Sequence, residues 1–291
     1  MKPLLILYSF TLILLTSCSG SSKKQKDEKR LVTVTLEPQR FFAEAIAGDK
    51  WNINSMVPKG SSPETYDPTP QQLAKLSKSD AYLRIGYIGF ELSWMERLTD
   101  NAPHMHVFNT SKGIDLIYGS NNGEEDSHHH SGGIEPHIWN STINARIIAK
   151  NMLNSFCTLD KGNRSYYLKR YDSLCLRIDH TDSLIRKILS SPETDHAFMI
   201  YHPALSYFAR DYGLHQICIE EGGKEPSPSH LQKLIDICKA EGVRIIFVQP
   251  EFDRRNAEII AKQTGTKIIS VNPLAYDWEK EMIHIAKSLC R

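Results

Sequence analysis

From Leu31 onwards, short apolar runs rich in β-branched residues alternate with longer segments in which apolar residues recur every three or four positions. The short runs predict strands at 32–36, 51–57, 81–85, 106–108, 198–201, 217–219, 244–248 and 267–271. The longer segments predict helices, among them 39–47, 70–77, 142–153, 203–212, 229–241 and 254–264. Because strands alternate with helices, the sequence predicts an α/β fold with mainly parallel sheets.

The segment 164–191 departs from this alternation, since it contains neither Gly nor Pro. Apolar and aromatic residues recur in it at spacings of four and three, beginning with Tyr167, Tyr171 and Leu174. This periodicity predicts one long helix, roughly 40 Å in length at about 1.5 Å per residue. Because α/β units flank it on both sides, we interpret it as a stiff connector between two lobes. The alternative is the stripe of a free coiled coil.

The predicted division of the chain follows from this helix. We expect a first lobe over 31–160, the connecting helix over 161–191 and a second lobe over 192–291. At 291 residues and 41 % hydrophobic positions, the chain is long enough for a core in each lobe. Its 35 Lys and Arg residues nearly balance 34 Asp and Glu residues, so its charge gives no indication of a nucleic-acid partner.

The N-terminal stretch has the features of an export signal. Lys2 precedes an apolar run from Leu4 to Leu15, and the tetrapeptide LTSC that ends at Cys18 has the pattern of a bacterial lipobox. A membrane-spanning helix is the alternative, but about a dozen apolar residues are too few to span a hydrocarbon core of roughly 30 Å. We expect residues 1–17 to be removed, Cys18 to be acylated, and 18–30 to form a flexible tether.

A loop with unusual composition is predicted at 121–133, with the sequence NNGEEDSHHHSGG. Its Gly, Asn and Ser residues bury little apolar surface, and His128, His129 and His130 follow three acidic residues. The functional interpretation is a low-affinity collector of metal ions, and the alternative is a surface loop with no such role.

Five cysteines follow Cys18, and their spacing matches no CxxC-type metal site; they are Cys157, Cys175, Cys218, Cys238 and Cys290. An odd number allows at most two bridges within the chain, and the sequence does not specify the pairing. Cys157 and Cys175 flank a predicted helical corner and could pair. Buried free thiols are the alternative.

Residues with metal-binding side chains follow several predicted strands, at the edge where open α/β sheets place their ligands. Glu64, His202, Glu251 and Asn272 all lie in such loops, and His137 precedes a predicted helix. Two imidazoles and a carboxylate suit a borderline-soft divalent ion such as zinc. A single histidine at a strand end is more often structural, so the spacing alone does not establish the site.

Several motifs occur in a fixed order along the chain: the lipobox, PKGSSPETYDPTPQQLAKLSKSDAYLRIG, EPHIWNS, MIYHPALSYFARDYGL, EPSPSHLQKLI and VNPL. In this order and at these intervals, they resemble the metal-binding lipoproteins of zinc and manganese ABC importers, over nearly all of the mature chain. The resemblance implies two α/β lobes joined by one long helix, with the metal between them. It also implies a binding protein, not an enzyme, that is anchored outside the cytoplasm and whose partner is an importer permease.

The same resemblance implies metal ligands at His137 and His202, because EPHIW and YHPALSYFARDYGL are intact. The third implied ligand is Glu64, at a position where the family usually has the histidine of Ser-Pro-His-Thr-Tyr. The family's late acidic ligand aligns with Asn272, so the fourth position is left to water, Glu251 or Asn272. We expect Zn²⁺ as the transported metal, with Mn²⁺ or Fe²⁺ as alternatives because a carboxylate widens the tolerance of the site.

Further features of the family apply to this chain. Zinc-binding members commonly carry a His-rich and acid-rich loop, which corresponds to the segment with His128 to His130. Cys238 and Cys290 resemble positions that some zinc-binding members join within the second lobe. In the resulting hypothesis, Glu64 and His137 from the first lobe and His202 from the second clamp the ion, and the protein is a monomer.

Two other functions compete with this hypothesis. Two histidines and a glutamate with an open position also make a catalytic zinc site, although the sequence has no HExxH pair, GxSxG elbow or Gly-rich phosphate loop. The other is a binding protein for a metal chelate such as a siderophore or haem, which requires a wider pocket.

The lipobox generates the first testable prediction. Mass spectrometry of the protein extracted from membranes is expected to show an acylated Cys18 as the first residue. A polypeptide that still begins with Met1 would contradict the export and anchoring hypothesis.

Overall fold

The computed structural model describes residues 30–119 and 133–290. The predicted signal segment, Cys18, nearly all of the tether, and the histidines His128, His129 and His130 lie outside these residues. Within the described ranges, no helix combines the length and the apolar composition that crossing a bilayer requires.

The first part of the chain forms a four-stranded parallel sheet. Its strands are β1 (Leu31–Val34), β2 (Asn52–Ser55), β3 (Ala81–Arg84) and β4 (His106–Asn109), in the order β2-β1-β3-β4. The helices that connect them are α1 (Glu37–Ala47), α2 (Pro70–Leu76) and α3 (Gly89–Asn101). Val32 pairs with Ile53 on one side and Ala81 on the other, so β1 is central, which is consistent with its largely apolar sequence.

Two helices follow the first sheet, α4 (Thr142–Leu159) and α5 (Arg164–Leu189). The start of α4 is capped by Ser141, whose hydroxyl accepts a hydrogen bond from the Asn144 N–H at 3.0 Å. At 26 residues, α5 spans about 39 Å at 1.5 Å per residue, in agreement with the long helix that the periodicity predicts.

The last part of the chain forms a second parallel sheet. Its strands are β5 (Ala197–Ile200), β6 (His215–Cys218), β7 (Ile245–Val248) and β8 (Lys267–Ser270), in the order β6-β5-β7-β8. The helices of this part are α6 (Ser206–Tyr212), α7 (Pro228–Ala240), α8 (Arg255–Thr264) and α9 (Trp278–Ser288). Since both sheets have the same strand order and all strands in each are parallel, the carboxyl ends of the strands form one edge in each lobe.

The long helix α5 packs against α1 and α4 on the first lobe and against α9 on the second. It contributes Tyr167, Leu174, Ile178 and Ile185 to one continuous hydrophobic core that includes residues of both sheets. A smaller core lies between the other face of the second sheet and α7 and α8. Because a single core joins the two lobes through α5, the connector is part of a rigid frame.

Two buried tryptophans tie the lobes together next to this core. The Trp139 indole donates to the carbonyl oxygen of Pro273 at 2.8 Å, and the Trp278 indole donates to the carbonyl oxygen of Trp139 at 2.7 Å. Trp278 also packs against Phe42, with ring centroids 5.0 Å apart. Both indole N–H groups are therefore satisfied inside an otherwise apolar junction.

The predicted fold class is confirmed, with two parallel sheets and one long connecting helix. All eight predicted strands occur in the described residues, within a few residues of the expected bounds. The helices α3 and α9 are not among the elements predicted from the sequence. The buried positions of α3 include Gly89 and Glu91 beside Phe90 and Leu98, so its apolar periodicity is weak. The division at 160 and 191 stays a prediction.

The implied bond between Cys238 and Cys290 is not present in the structure. Cys238 packs in the smaller core, against one face of the second sheet. Cys290 lies two residues after the end of α9, whose buried residues belong to the core on the opposite face. The two cysteines therefore belong to elements on opposite faces of the sheet. Cys157 and Cys175 are not joined either.

The tryptophan junction leads to a prediction about stability. Replacing Trp278 by Ala removes a fully buried side chain and leaves the carbonyl of Trp139 without its donor. We expect a loss of about 3–5 kcal/mol in the free energy of unfolding, measured by urea denaturation followed by circular dichroism. Leu176→Ala is the control, because Leu176 lies on α5 with 72 % of its surface exposed, and it should change stability by less than about 0.5 kcal/mol. Equal effects of the two substitutions would contradict the role of the junction.

Candidate metal centre

Three side chains from distant parts of the sequence converge between the two sheets. Glu64, His137 and His202 each offer one ligand atom, and these atoms all lie within 4.8 Å of one another. Both histidines are buried and Glu64 is partly buried. The structure thus brings together the three residues that the sequence analysis selected.

The strand ends explain this convergence. His202 lies two residues after β5, and Glu64 lies in the loop that follows β2. Both loops leave the carboxyl edges of their sheets, where side chains of neighbouring connections meet. His137 lies in the segment that leads into α4.

Each histidine is oriented by a carboxylate on its far nitrogen. Glu135 Oε1 lies in close contact with His137 Nδ1, and Glu220 Oε1 lies 2.9 Å from His202 Nδ1. In the tautomer that carries its proton on Nδ1, each histidine donates to this carboxylate and keeps the lone pair of Nε2 for a metal. A histidine that binds zinc through one ring nitrogen usually donates its other ring N–H to a carboxylate.

The two Nε2 nitrogens have the separation that a shared ion requires. His137 Nε2 and His202 Nε2 lie 3.2 Å apart. Two nitrogens that are each about 2.0–2.1 Å from a tetrahedral zinc ion are separated by roughly 3.3 Å. The two nitrogens are therefore placed so that one ion could contact both.

Glu64 supplies the negative charge. Its Oε2 accepts a hydrogen bond from the Gly89 N–H at 3.1 Å. Its Oε1 is buried and has no hydrogen-bond partner among the described residues. A buried carboxylate oxygen without a donor is costly unless a cation binds it, so the residues present fit a divalent metal.

The cavity at this centre has a volume of about 20 Å³, which is close to the space that one water molecule occupies. Its wall includes the three candidate ligands together with Gln249 and Glu251. A cavity of this size accommodates an ion with one further small ligand. It has no room for a siderophore or haem.

The two candidates for the fourth position differ in placement. Glu251 lines the cavity, and its Oε1 is buried without a hydrogen-bond partner among the described residues. Burial raises the pKa of the Glu251 carboxyl, with a smaller opposing effect from His202. Asn272 is not brought to the cavity, because its Oδ1 accepts from the Leu274 N–H at 3.1 Å within a turn.

Consecutive residues of the segment that carries His137 make hydrogen bonds to the second lobe. Asn140 Nδ2 donates to the carbonyl oxygen of Ala204 at 2.8 Å, and the Ser141 hydroxyl contacts the Asp211 carboxylate. These contacts continue the junction made by Trp139. His137 therefore belongs to the first lobe by sequence but is fastened, like His202, to the second.

Sequence reasoning missed the supporting side chains of both histidines. Glu135 belongs to the EPHIW motif itself, and Glu220 lies two residues after β6, at the same sheet edge as the ligands. The side chain of Gln249 makes two hydrogen bonds to the backbone of His202. Its Oε1 accepts from the His202 N–H at 3.4 Å, and its Nε2 donates to the His202 carbonyl oxygen at 2.7 Å. Glu220 and Gln249 both follow predicted strands, so their positions could be found from the sequence. Their roles depend on side-chain geometry, which the sequence does not show.

Comparisons with known proteins agree with this geometry. The sequence profile of the family described as ZnuA, zinc-uptake complex component A periplasmic, matches residues 32–289. The high-affinity zinc uptake system protein ZnuA of Bacillus subtilis is 28 % identical over 278 residues, 90 % of this chain and 85 % of the relative. The iron ABC transporter substrate-binding lipoprotein MtsA of Streptococcus pyogenes is 30 % identical over 285 residues, 92 % of this chain and 88 % of the relative.

A manganese ABC transporter substrate-binding lipoprotein, PsaA of Streptococcus mitis, is 26 % identical over 276 residues, covering 91 % of this chain and 86 % of the relative. Among solved structures, a crystal structure of ZnuA has a TM-score of 0.83 and 32 % sequence identity, covering 90 % of this chain and 98 % of the other. The family match covers almost all of the described residues. The chain therefore belongs to the ZnuA family, the metal-binding solute-binding proteins of ABC importers, and is not an enzyme.

Proposed function

We propose that the protein captures Zn²⁺ outside the cytoplasm through Glu64, His137 and His202 and delivers it to the permease of an ABC importer. The observation that carries this proposal is the pair of histidine Nε2 atoms 3.2 Å apart, each backed by a carboxylate. The names of the relatives specify zinc, iron and manganese, so the choice of metal rests on the donor set of this chain.

Two considerations favour zinc. Two nitrogens and one carboxylate oxygen suit a four-coordinate zinc ion that keeps one position for a further ligand. The cavity of about 20 Å³ leaves little space for the additional oxygen ligands that manganese prefers. Mn²⁺ or Fe²⁺ is the second candidate, because Glu64 replaces a histidine of the family pattern and Glu251 offers a second carboxylate at the cavity.

Capture and release follow from the same contacts. Metal binding requires both Nε2 atoms to be unprotonated, so the affinity should fall as the pH drops through the range in which histidines take up protons. Since one hydrophobic core runs through both lobes and α5, we expect only small domain motions. Docking on the permease would loosen the contacts of the ion with its ligands.

The remaining parts of the proposal concern segments outside the described residues. Acylated Cys18 and the following tether would hold the protein on a membrane of the cell envelope, facing the periplasm or the exterior. The histidines His128, His129 and His130 would act as a low-affinity collector of metal ions. The protein would act as a monomer with lobes at 31–160 and 192–291 and a connector at 161–191.

The first experiment is a direct measurement of metal binding. The purified protein is expected to bind one Zn²⁺ per chain tightly, measured by competition with a chromophoric chelator, and to bind Mn²⁺ more weakly. The double variant His137→Ala, His202→Ala should lose tight binding, because it removes both nitrogen ligands. A matched control replaces two exposed histidines, His104 and His106, and should bind zinc as the unsubstituted protein does. Absence of any tightly bound transition metal in the unsubstituted protein would contradict the proposal.

The carboxylate behind His202 yields a further prediction. Glu220→Gln weakens the acceptor of the His202 Nδ1–H bond, so we expect zinc affinity to fall about 10- to 100-fold with little change in melting temperature. The same substitution at Glu241 is a control, because its contact with His215 Nδ1 at 2.7 Å is an equivalent pair on the surface. Equal zinc affinities of the two variants would show that Glu220 does not orient the ligand.

A further inference from the structure

The loop that carries Glu64 is seated on the first turn of α3. The Gly89 N–H donates to Glu64 Oε2 at 3.1 Å, and the Phe90 N–H donates to the carbonyl oxygen of Pro63 at 2.8 Å. The first N–H groups of a helix have no partner within the helix, and the positive end of the helix dipole favours a carboxylate. This turn therefore engages one of the two oxygens of Glu64.

The close approach depends on the absence of a side chain at position 89. A Cβ atom there would lie 2.6 Å from Glu64 Oε2, 2.8 Å from its carbonyl oxygen and 3.0 Å from its Cα. Gly89 does not have a positive φ, so the backbone conformation suits any residue. The requirement for glycine is one of space, and two of the three contacts are with backbone atoms that cannot rotate away.

The helix itself is held in place, so the loop has to yield when this contact is disturbed. The buried carboxylate of Glu91 accepts from the Ile85 N–H at 2.8 Å and also from the Gly86 N–H. These bonds fasten the start of α3 to the end of β3. Any atom added at Gly89 would therefore displace Glu64 rather than the helix.

From these contacts we propose that Gly89 is a positioning residue that presents Glu64 to the metal as a single-oxygen ligand. Its N–H engages Oε2, while Oε1 is buried without a hydrogen-bond partner among the described residues, and one carboxylate oxygen of Glu64 lies within 4.8 Å of a ring nitrogen of each histidine. This inference rests on the proposed function and deepens it by stating how the third ligand is oriented.

The proposal has a consequence for the choice of metal. One oxygen and two nitrogens leave a three-coordinate ion, and a cavity of about 20 Å³ adds space for one small ligand. The resulting coordination number of four suits zinc. A carboxylate that offered both oxygens would raise the coordination number and favour metals that prefer oxygen ligands.

A double-mutant cycle tests the positioning role. Zinc affinities are compared for the unsubstituted protein, Gly89→Ala, Glu64→Ala and the variant with both changes. We expect Gly89→Ala to weaken zinc binding about 10- to 100-fold, as loss of an outer partner of a ligand does. Because Gly89 acts through Glu64, adding Gly89→Ala to Glu64→Ala should change the affinity less than threefold. Additive effects would overturn the proposal, since they would mean that Gly89 acts through something other than Glu64.

Gly162→Ala is the matched control, because a Cβ atom at Gly162 would meet only Asp160 Oδ1, at 3.8 Å, far from the centre in sequence. It should leave zinc affinity unchanged. Equal affinities of Gly89→Ala and Gly162→Ala would overturn the role of Gly89 while leaving the proposed function intact. If the unsubstituted protein binds no zinc tightly, the proposed function fails and this inference fails with it.

The spectrum of the unsubstituted protein loaded with Co²⁺ gives a second test that does not require any variant to fold. Four-coordinate cobalt has intense visible absorption, whereas five- and six-coordinate cobalt absorbs weakly. We expect the intense bands of a four-coordinate ion with a single-oxygen carboxylate. Weak bands would overturn the single-oxygen part of the proposal even if the protein binds zinc tightly.

Discussion

The metal centre depends on the hydrogen bonds that cross between the lobes at Trp139. Its carbonyl oxygen accepts from the Trp278 indole at 2.7 Å, and its own indole donates to the carbonyl oxygen of Pro273 at 2.8 Å. All of these groups are buried, so breaking either bond would leave a polar atom without a partner inside the core. The backbone two residues after His137 is thereby fixed to the lobe that carries His202, and the spacing of the two histidines is set by backbone contacts rather than by flexible side chains.

Charge balance gives the centre its preference for a cation. Glu135 and Glu220 each face the Nδ1 atom of a histidine, and Glu64 contributes a third carboxylate. Carboxylates buried around two imidazoles create a negative potential that water screens weakly in so small a cavity. A divalent ion bound between the Nε2 atoms compensates this charge, and the outer carboxylates make the histidines better ligands. Glu251, whose carboxyl pKa is raised by burial, lies at the wall of the same cavity.

The candidate centre lies between the two lobes. The lobe that holds each candidate ligand is not always the lobe expected from its place in the sequence. His137 precedes α5 in sequence, yet Trp139, Asn140 and Ser141 all bond to the lobe that follows α5. Of the three candidate ligands, Glu64, seated on α3, is the one held by the first lobe. The continuous core through α5 holds the two lobes in a fixed relative position. The cavity between them therefore stays small, and we expect no wide hinge motion.

Much of the fold and the principal ligands could be predicted from sequence, because both leave short-range signals. The strands and α5 follow from the local periodicity of apolar residues, and Glu64, His137 and His202 lie in recognisable segments. The roles of Glu220 and Gly89, the engagement of Asn272 in a turn and the separation of Cys238 from Cys290 were decided by tertiary structure alone. Each of these features depends on which surfaces pack together across a sheet or between lobes. Glu64 and Gly89, for example, are far apart in sequence, so no local pattern shows that they are in contact. The sequence by itself determined which residues can bind a metal, and the packing of the two lobes decided how those residues are held.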